Sequence, residues 1–160
     1  MKLGVLFSGG KDSTYALYKV MEQNQIVCLI SIISKNPDSY MFHTPNINLT
    51  SLQAKALGLP LIRKTTRGVK EEELKDLKKT IAEAKERFGI EGIVTGAFAS
   101  AYQKDRIQKI CDELNLKCIN PLWGKEPETL LREMLKDGFK FILSSIAAFG
   151  LESVGNNVLA

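Results

Sequence analysis

The 160-residue sequence has no apolar run approaching the roughly 20 residues needed to cross a bilayer, and Leu3 to Phe7 is too brief for a secretory signal core. A cytoplasmic location without a membrane partner is therefore expected. Cysteine is sparse. Cys28, Cys111 and Cys118 are odd in number, show no C-x-x-C spacing and read as reduced core residues, with a Cys111–Cys118 redox pair left open. Histidine is scarcer still, and the single His43 reads first as a structural turn residue. Charge of one sign is also lacking: 22 Lys and Arg against 18 Asp and Glu leave a formal +4, which suits a polyanionic partner but is far from a nucleic-acid signature. No repeat, low-complexity tract or linker divides the chain. Residues 1–160 are read as one domain, long enough for one core and too short for two.

What the chain does contain is an alternation of short β-rich runs with longer amphipathic segments, which argues for α/β. Leu3 to Phe7 and Ile26 to Ile33 are continuous apolar runs, as strands covered on both faces require, and a helix from about Asp12 to Met21 separates them. Thr44-Pro45 supplies a capping hydroxyl and a first-turn proline for a second helix, closed by Gly58. Leu74, Leu77, Ile81, Ala84 and Phe88 recur at three- and four-residue intervals, predicting a third helix ended by Gly89. On its wet face Glu71 and Lys75, and Glu83 and Arg87, stand four apart and stabilise the helix. Then follow a strand over Ile90 to Thr95, a helix burying Ile107, Ile110, Cys111 and Leu114, a short strand over Lys117 to Ile119, a helix over Pro127 to Lys136 and a final strand over Phe139 to Ala147. Parallel strands joined by right-handed helical crossovers give a doubly wound sheet.

Ser8-Gly9-Gly10-Lys11-Asp12-Ser13 lies between the first strand and the first helix, where the crevice of an open parallel sheet collects ligands. Two adjacent glycines let N–H groups turn toward an anion with no Cβ in the way, and the helix start adds unpaired N–H groups and a positive dipole end. Lys11 adds a cation; Ser8 and Ser13 add hydroxyl donors. A Walker loop is excluded, because Val5 stands at its first glycine and Asp12 at its Ser or Thr. The dinucleotide fingerprint G-x-G-x-x-G is not there either.

The loop instead resembles the S-G-G-x-D-S PP-loop of the ATP pyrophosphatases, which holds a departing pyrophosphate. With Ser39-Tyr40-Met41-Phe42-His43, Leu49-Thr50-Ser51-Leu52-Gln53-Ala54, Gly96-Ala97-Phe98-Ala99-Ser100-Ala101-Tyr102-Gln103, Arg106 and Pro121-Leu122-Trp123, the chain resembles the diphthine–ammonia ligase family. That resemblance implies a Rossmann-like adenine nucleotide alpha hydrolase (HUP-type) fold. It also implies a two-step amidation using ATP, Mg²⁺ and ammonia, in which the carboxylate of diphthine on elongation factor 2 is adenylated and ammonia displaces AMP.

Within that scheme Lys11 and the N–H groups of Gly9, Gly10 and Ser13 are assigned to the β- and γ-phosphates, with Ser8 as a further donor and Asp12 either a Mg²⁺ contact or a helix cap. Gly96 ends a strand where backbone can approach a nucleotide or simply turn, and Ser34 is placed near adenine or ribose. Gln103 shares a stripe with Ile107 and Ile110, where packing alone prefers an apolar side chain, so Tyr102, Gln103 and Arg106 are grouped as site residues. Arg106 suits the α-phosphate, the substrate carboxylate or plain solvent. Tyr40 and His43 enter the substrate pocket by resemblance alone, and Trp123 reads as a core or rim aromatic.

Family members usually continue through a W-L-G-R stretch and a later segment rich in glycine and glutamate. Here Gly150-Leu151-Glu152 is followed by Ser153-Val154-Gly155-Asn156-Asn157 and the sequence ends at Ala160, so the nucleotide half is expected and much of the acceptor half is not. Two rivals stand beside the ligase: a non-catalytic nucleotide-binding module, and a PP-loop enzyme acting on tRNA, for which neither an RNA-binding extension nor catalytic cysteines are found. A nucleic-acid partner is not expected, and a homodimer is compatible with the sequence.

Overall fold

The computed structural model describes residues 1–36, 41–42, 47–69 and 71–142. Strands β1 (Lys2–Leu6), β2 (Gln25–Ser34), β3 (Leu61–Thr66), β4 (Gly92–Val94) and β5 (Lys117–Ile119) form one sheet in the order β3-β2-β1-β4-β5, with every neighbouring pair parallel. The helices are α1 (Lys11–Met21), α2 (Thr50–Leu57), α3 (Glu72–Phe88), α4 (Ala101–Glu113) and α5 (Pro127–Lys136), and a 3-10 turn at Ile47–Leu49 leads into α2.

Side chains alternate across a strand, so β2 feeds two cores at once. Cys28, Ile30 and Ile32 meet Leu77, Ile81 and Ala84 of α3 and Ile107, Ile110 and Cys111 of α4 on one face of the sheet. Leu29 joins Leu3 and Val5 of β1, Tyr15, Ala16, Leu17 and Val20 of α1, and Leu130 and Met134 of α5 on the other. Helices therefore cover both faces, which is the doubly wound α/β architecture anticipated from the apolar runs. Each large aliphatic residue so buried contributes roughly 1.5–3 kcal/mol of transfer free energy.

Several expectations need correcting. The edge strand β3 was not foreseen. Only Ile62 and Thr66 of its Leu-Ile-Arg-Lys-Thr-Thr run are buried, and Arg63 and Lys64 face solvent as charges that blunt a sheet edge. Thr44-Pro45 lies outside the described residues, and the second helix begins only at Thr50, whose hydroxyl donates to the Ile47 carbonyl at 2.7 Å. The strand expected over Ile90 to Thr95 is confined to Gly92–Val94. Phe139 to Ile142 is not a strand, and residues 143–147 lie outside the described residues. Phe139 instead packs edge-on against Tyr15 and Tyr18, with ring centroids 5.2 Å away in both cases, and its N–H closes the end of α5 on the Met134 carbonyl at 3.0 Å. Its apolar surface is spent covering α1. Among the described residues no helix is long and apolar enough to cross a membrane.

Candidate functional site at the carboxyl edge of the sheet

β1 lies between β2 and β4, so the chain leaves β1 toward one side of the sheet and later enters β4 on the other. At such a reversal the flanking loops diverge and open a crevice at the carboxyl ends of the strands. The loop Ser8–Ser13 leaves β1 and Gly96–Ser100 leaves β4, which brings the two loops to one crevice.

Gly9 adopts a left-handed φ of +75°, and Gly10 is the extended N-cap of α1 with no side-chain capping bond. Asp12 therefore sits inside the first turn, which sets aside its reading as a cap. The first helical bond runs from the Thr14 N–H to the Gly10 carbonyl at 3.0 Å. The N–H groups of Lys11, Asp12 and Ser13 precede it, at the positive end of the helix dipole. Ser13 Oγ and Thr14 Oγ1 donate to the Gly10 carbonyl at 3.1 and 2.9 Å, so that carbonyl is drawn toward the helix. Ser8 Oγ lies 3.1 Å from Ser13 Oγ and accepts the Gly10 N–H at 3.4 Å. Lys11 Nζ meets both carboxylate oxygens of Asp12, at 2.7 and 2.8 Å, and stands 5.9 Å from the centre of the Phe98 ring. The Lys11 and Asp12 side chains are 29% and 30% exposed, so the pair faces water and contributes little to stability.

The loop after β4 rests on this first turn. A Cβ at Gly96 would lie 2.8 Å from the Ser13 nitrogen and 2.9 Å from the Asp12 carbonyl carbon. The close approach anticipated at Gly96 is thus made by the backbone of α1 itself. Thr95 holds the turn from behind, its Oγ1 donating to Asn120 Oδ1 at 2.6 Å and accepting the Ala97 N–H at 3.1 Å. Ser34 ends β2 on the same edge but is buried, its Oγ accepting the Asn36 N–H at 3.1 Å and donating to the Asn36 carbonyl at 3.0 Å.

A second group gathers on α4, whose cap Ser100 accepts the Gln103 N–H at 3.3 Å. The polar side chain of Gln103 is accounted for by its Nε2 bond to the Met41 carbonyl at 3.4 Å. The Arg106 guanidinium lies 3.4 Å from the centre of the Tyr102 ring, and its Nη2 reaches Glu71 Oε1 at 3.2 Å. Arg106 Nε is buried with no hydrogen-bond partner among the described residues. Tyr40 and His43 lie outside the described residues.

Residues 1–118 match the family model described as diphthamide synthase N-terminal domain. This chain belongs to that family. It is 36% identical to the diphthine–ammonia ligase of Rattus norvegicus and 34% to that of Homo sapiens, in each case across 95% of this chain and 64% of the relative. With the ligase of Schizosaccharomyces pombe it shares 32% identity across 94% of this chain and 28% of the relative. The chain thus spans just under two thirds of the length of the mammalian relatives. A solved structure described as a predicted subunit of tRNA methyltransferase from Methanocaldococcus jannaschii shares the fold, with a TM-score of 0.53, 23% identity and coverage of 83% of this chain and 75% of that one.

In this diphthamide synthase family member the residue to which sequence reading gave no role is Gln53 of α2, within the Leu49–Ala54 stretch that carries the resemblance. Its Nε2 donates to the Gly9 carbonyl at 3.0 Å, across 44 positions of sequence. No local pattern signals such a contact; the one hint was its place in the family-like stretch Leu49–Ala54. Trp123 proves to be a rim aromatic, with Lys104 Nζ 4.3 Å above its ring. All three cysteines are free thiols. Burial pushes Cys28 up to about 11, whereas the Cys118 thiol is lowered by the hydrogen bond with the Cys111 thiol and then by Asn120 Nδ2, which donates at 3.4 Å. Depressions of about 210 and 370 Å³ lie elsewhere, between β3 and α3, and their linings, which include Thr65, Asp76 and Lys79, contain no residue of the Ser8–Ser13 loop.

Proposed function

We propose that this chain binds ATP at Ser8–Ser13 and uses it to convert diphthine on elongation factor 2 to diphthamide, with ammonia as the nitrogen donor. The observation that carries the reading is the loop itself: a glycine pair, a cation and the free N–H groups of a helix start, all at the reversal point of a parallel sheet. The relatives named diphthine–ammonia ligase support the choice of acceptor.

In the first step a carboxylate oxygen of diphthine attacks the α-phosphorus, and the bond to the bridging oxygen breaks with its electron pair leaving on pyrophosphate. Preorganised donors aimed at that developing charge lower the barrier. Lys11 and the N–H groups of Gly9, Gly10 and Ser13 take this role, and Gly96, lacking a Cβ, lets the β4 loop pack against the turn that carries the Ser13 nitrogen without displacing it. Ser8 stands by as a hydroxyl donor. In the second step ammonia attacks the acyl carbon, AMP departs and a proton is lost. Arg106 takes the α-phosphate or the diphthine carboxylate; Tyr102 and Gln103 serve the acceptor side, and Tyr40 and His43 are assigned to it by resemblance to the family alone. Because the Ser34 hydroxyl is engaged in its own turn, Ser34 serves adenine or ribose through backbone.

The residues fit Mg²⁺. Asp12 is a partly exposed carboxylate in the same first turn as the donors Lys11 and Ser13, and its present partner, Lys11, is the cation that the phosphates would draw away. Mg²⁺ retains several waters and takes one or two carboxylates beside phosphate oxygens, which a single aspartate satisfies. Bound there, the ion neutralises charge on the triphosphate.

Incubation with ATP and ammonium, with and without diphthine-bearing elongation factor 2, tests the reading. AMP and pyrophosphate formed only with the acceptor support it, ADP and phosphate contradict it, and tight ATP binding without turnover leaves nucleotide capture as the function of this chain. Asp12→Ala is expected to reduce pyrophosphate release at least about a hundredfold with the fold intact; undiminished release removes Asp12 from the mechanism.

A further inference from the structure

The side-chain amide of Gln53 packs against Gly9. Its Nε2 donates to the Gly9 carbonyl at 3.0 Å, while Oε1 stands only 2.1 Å from where a Cβ on Gly9 would be. No residue but glycine admits that approach, and the left-handed φ of +75° excludes most side chains independently. Oε1 is buried and has no hydrogen-bond partner among the described residues. A buried acceptor left unpaired is a cost, and an apolar side chain of the same length would fill the space without it. The amide is therefore explained by what Nε2 does.

A trans peptide points its carbonyl and its N–H in opposite directions. Holding the Gly9 carbonyl against α2 turns the N–H of the same peptide, that of Gly10, away from α2. That N–H meets only the long 3.4 Å contact to Ser8 Oγ, which a phosphate oxygen can displace.

We infer that Gln53 is a positioning residue for the anion cradle: it fixes the Gly9–Gly10 peptide with its N–H presented to the pyrophosphate moiety of the nucleotide. The inference rests on the nucleotide reading above and adds to it a residue outside the loop that sets the loop's polarity. Gln53 acts on the β- and γ-phosphates alone, through Gly10, and has no part in recognising adenosine or the α-phosphate.

The test is titration of the full chain with ATP plus Mg²⁺, with inorganic pyrophosphate and with AMP, comparing wild type with Gln53→Met, which keeps length and neutrality but removes the donor. The expected result is a loss of roughly tenfold or more in affinity for ATP and pyrophosphate, the scale of one charge-assisted hydrogen bond, with AMP affinity unchanged. Equal affinity of both proteins for pyrophosphate, or an equal loss for AMP, overturns the inference while leaving the nucleotide reading standing. Wild type that binds none of the three overturns both. A readout without nucleotide accompanies it: the Gly10 amide resonance in the free protein is expected to broaden in Gln53→Met as the peptide samples both orientations. A resonance as sharp as in wild type refutes the hold.

Discussion

Gly9 and Gly96 stand in the first loops after β1 and β4, at one edge of one sheet, yet each excludes a side chain for a different reason. Gly9 is left-handed, and what crowds it is the end of a flexible side chain, Gln53. At Gly96 no left-handed φ is required; it is crowded by the backbone of Asp12 and Ser13, which cannot turn aside. One glycine is a matter of dihedral angle and the other of contact. The loop after β1 therefore owes its shape to its own conformation plus one long-range prop, whereas the loop after β4 is a bearing surface on which α1 sits.

The contrast is broken most severely by Gly96→Ala, since relief requires the start of α1 to move. A loss of about 1–3 kcal/mol in unfolding free energy is expected, together with weaker pyrophosphate binding; a variant with wild-type stability and binding shows that the contact yields easily. Gly9→Ala is expected to cost about 1–2 kcal/mol from the left-handed φ alone. Adding Gln53→Ser should recover only the part due to crowding, so a double-mutant cycle separates dihedral strain from contact, and full recovery refutes the division. Thr95→Val removes the hydroxyl that braces the β4 loop and should cost about 1 kcal/mol, read as faster hydrogen exchange at Ala97 than at Gly10; equal acceleration at both amides denies that the two loops are held separately.

The smallest expected effect is a reactivity. Because the Cys111 thiol and then Asn120 stabilise its thiolate, Cys118 titrates below its ordinary value, while burial keeps Cys28 protonated until about 11. Alkylation by iodoacetamide, followed by mass spectrometry, is expected to set in at lower pH at Cys118 than at Cys28. Asn120→Ala should raise the Cys118 midpoint toward its ordinary 9.0, and an unmoved midpoint disproves the Asn120 contribution.

Legibility followed the range of the interactions. α5 was readable because its signals are local: Glu126 accepts the N–H groups of Glu128 and Thr129 at 3.1 and 2.8 Å, Pro127 opens the helix, and both lie within one turn. The two apolar runs gave β1 and β2 for the same reason. β3 escaped because an edge strand buries few side chains, and the Phe139 run misled because aromatic surface covers a helix as readily as it fills a strand. The polar residue on an apolar stripe at Gln103 reads as a site residue, and in the structure its Nε2 donates to the Met41 carbonyl, a packing contact that the pattern could not distinguish from a site role. Gln53 was visible only as part of the family-like stretch Leu49–Ala54, because its partner is 44 residues away.

The sequence by itself determined that a parallel α/β sheet would form and that an anion-seeking loop would follow its first strand, because apolar periodicity and glycine stereochemistry act over a few neighbouring residues. Only the tertiary structure decided which backbone presses on Gly96, which amide props Gly9 and where the Phe139 ring comes to rest. Those outcomes depend on the order in which strands join the sheet, and that order brings together atoms that no local pattern relates.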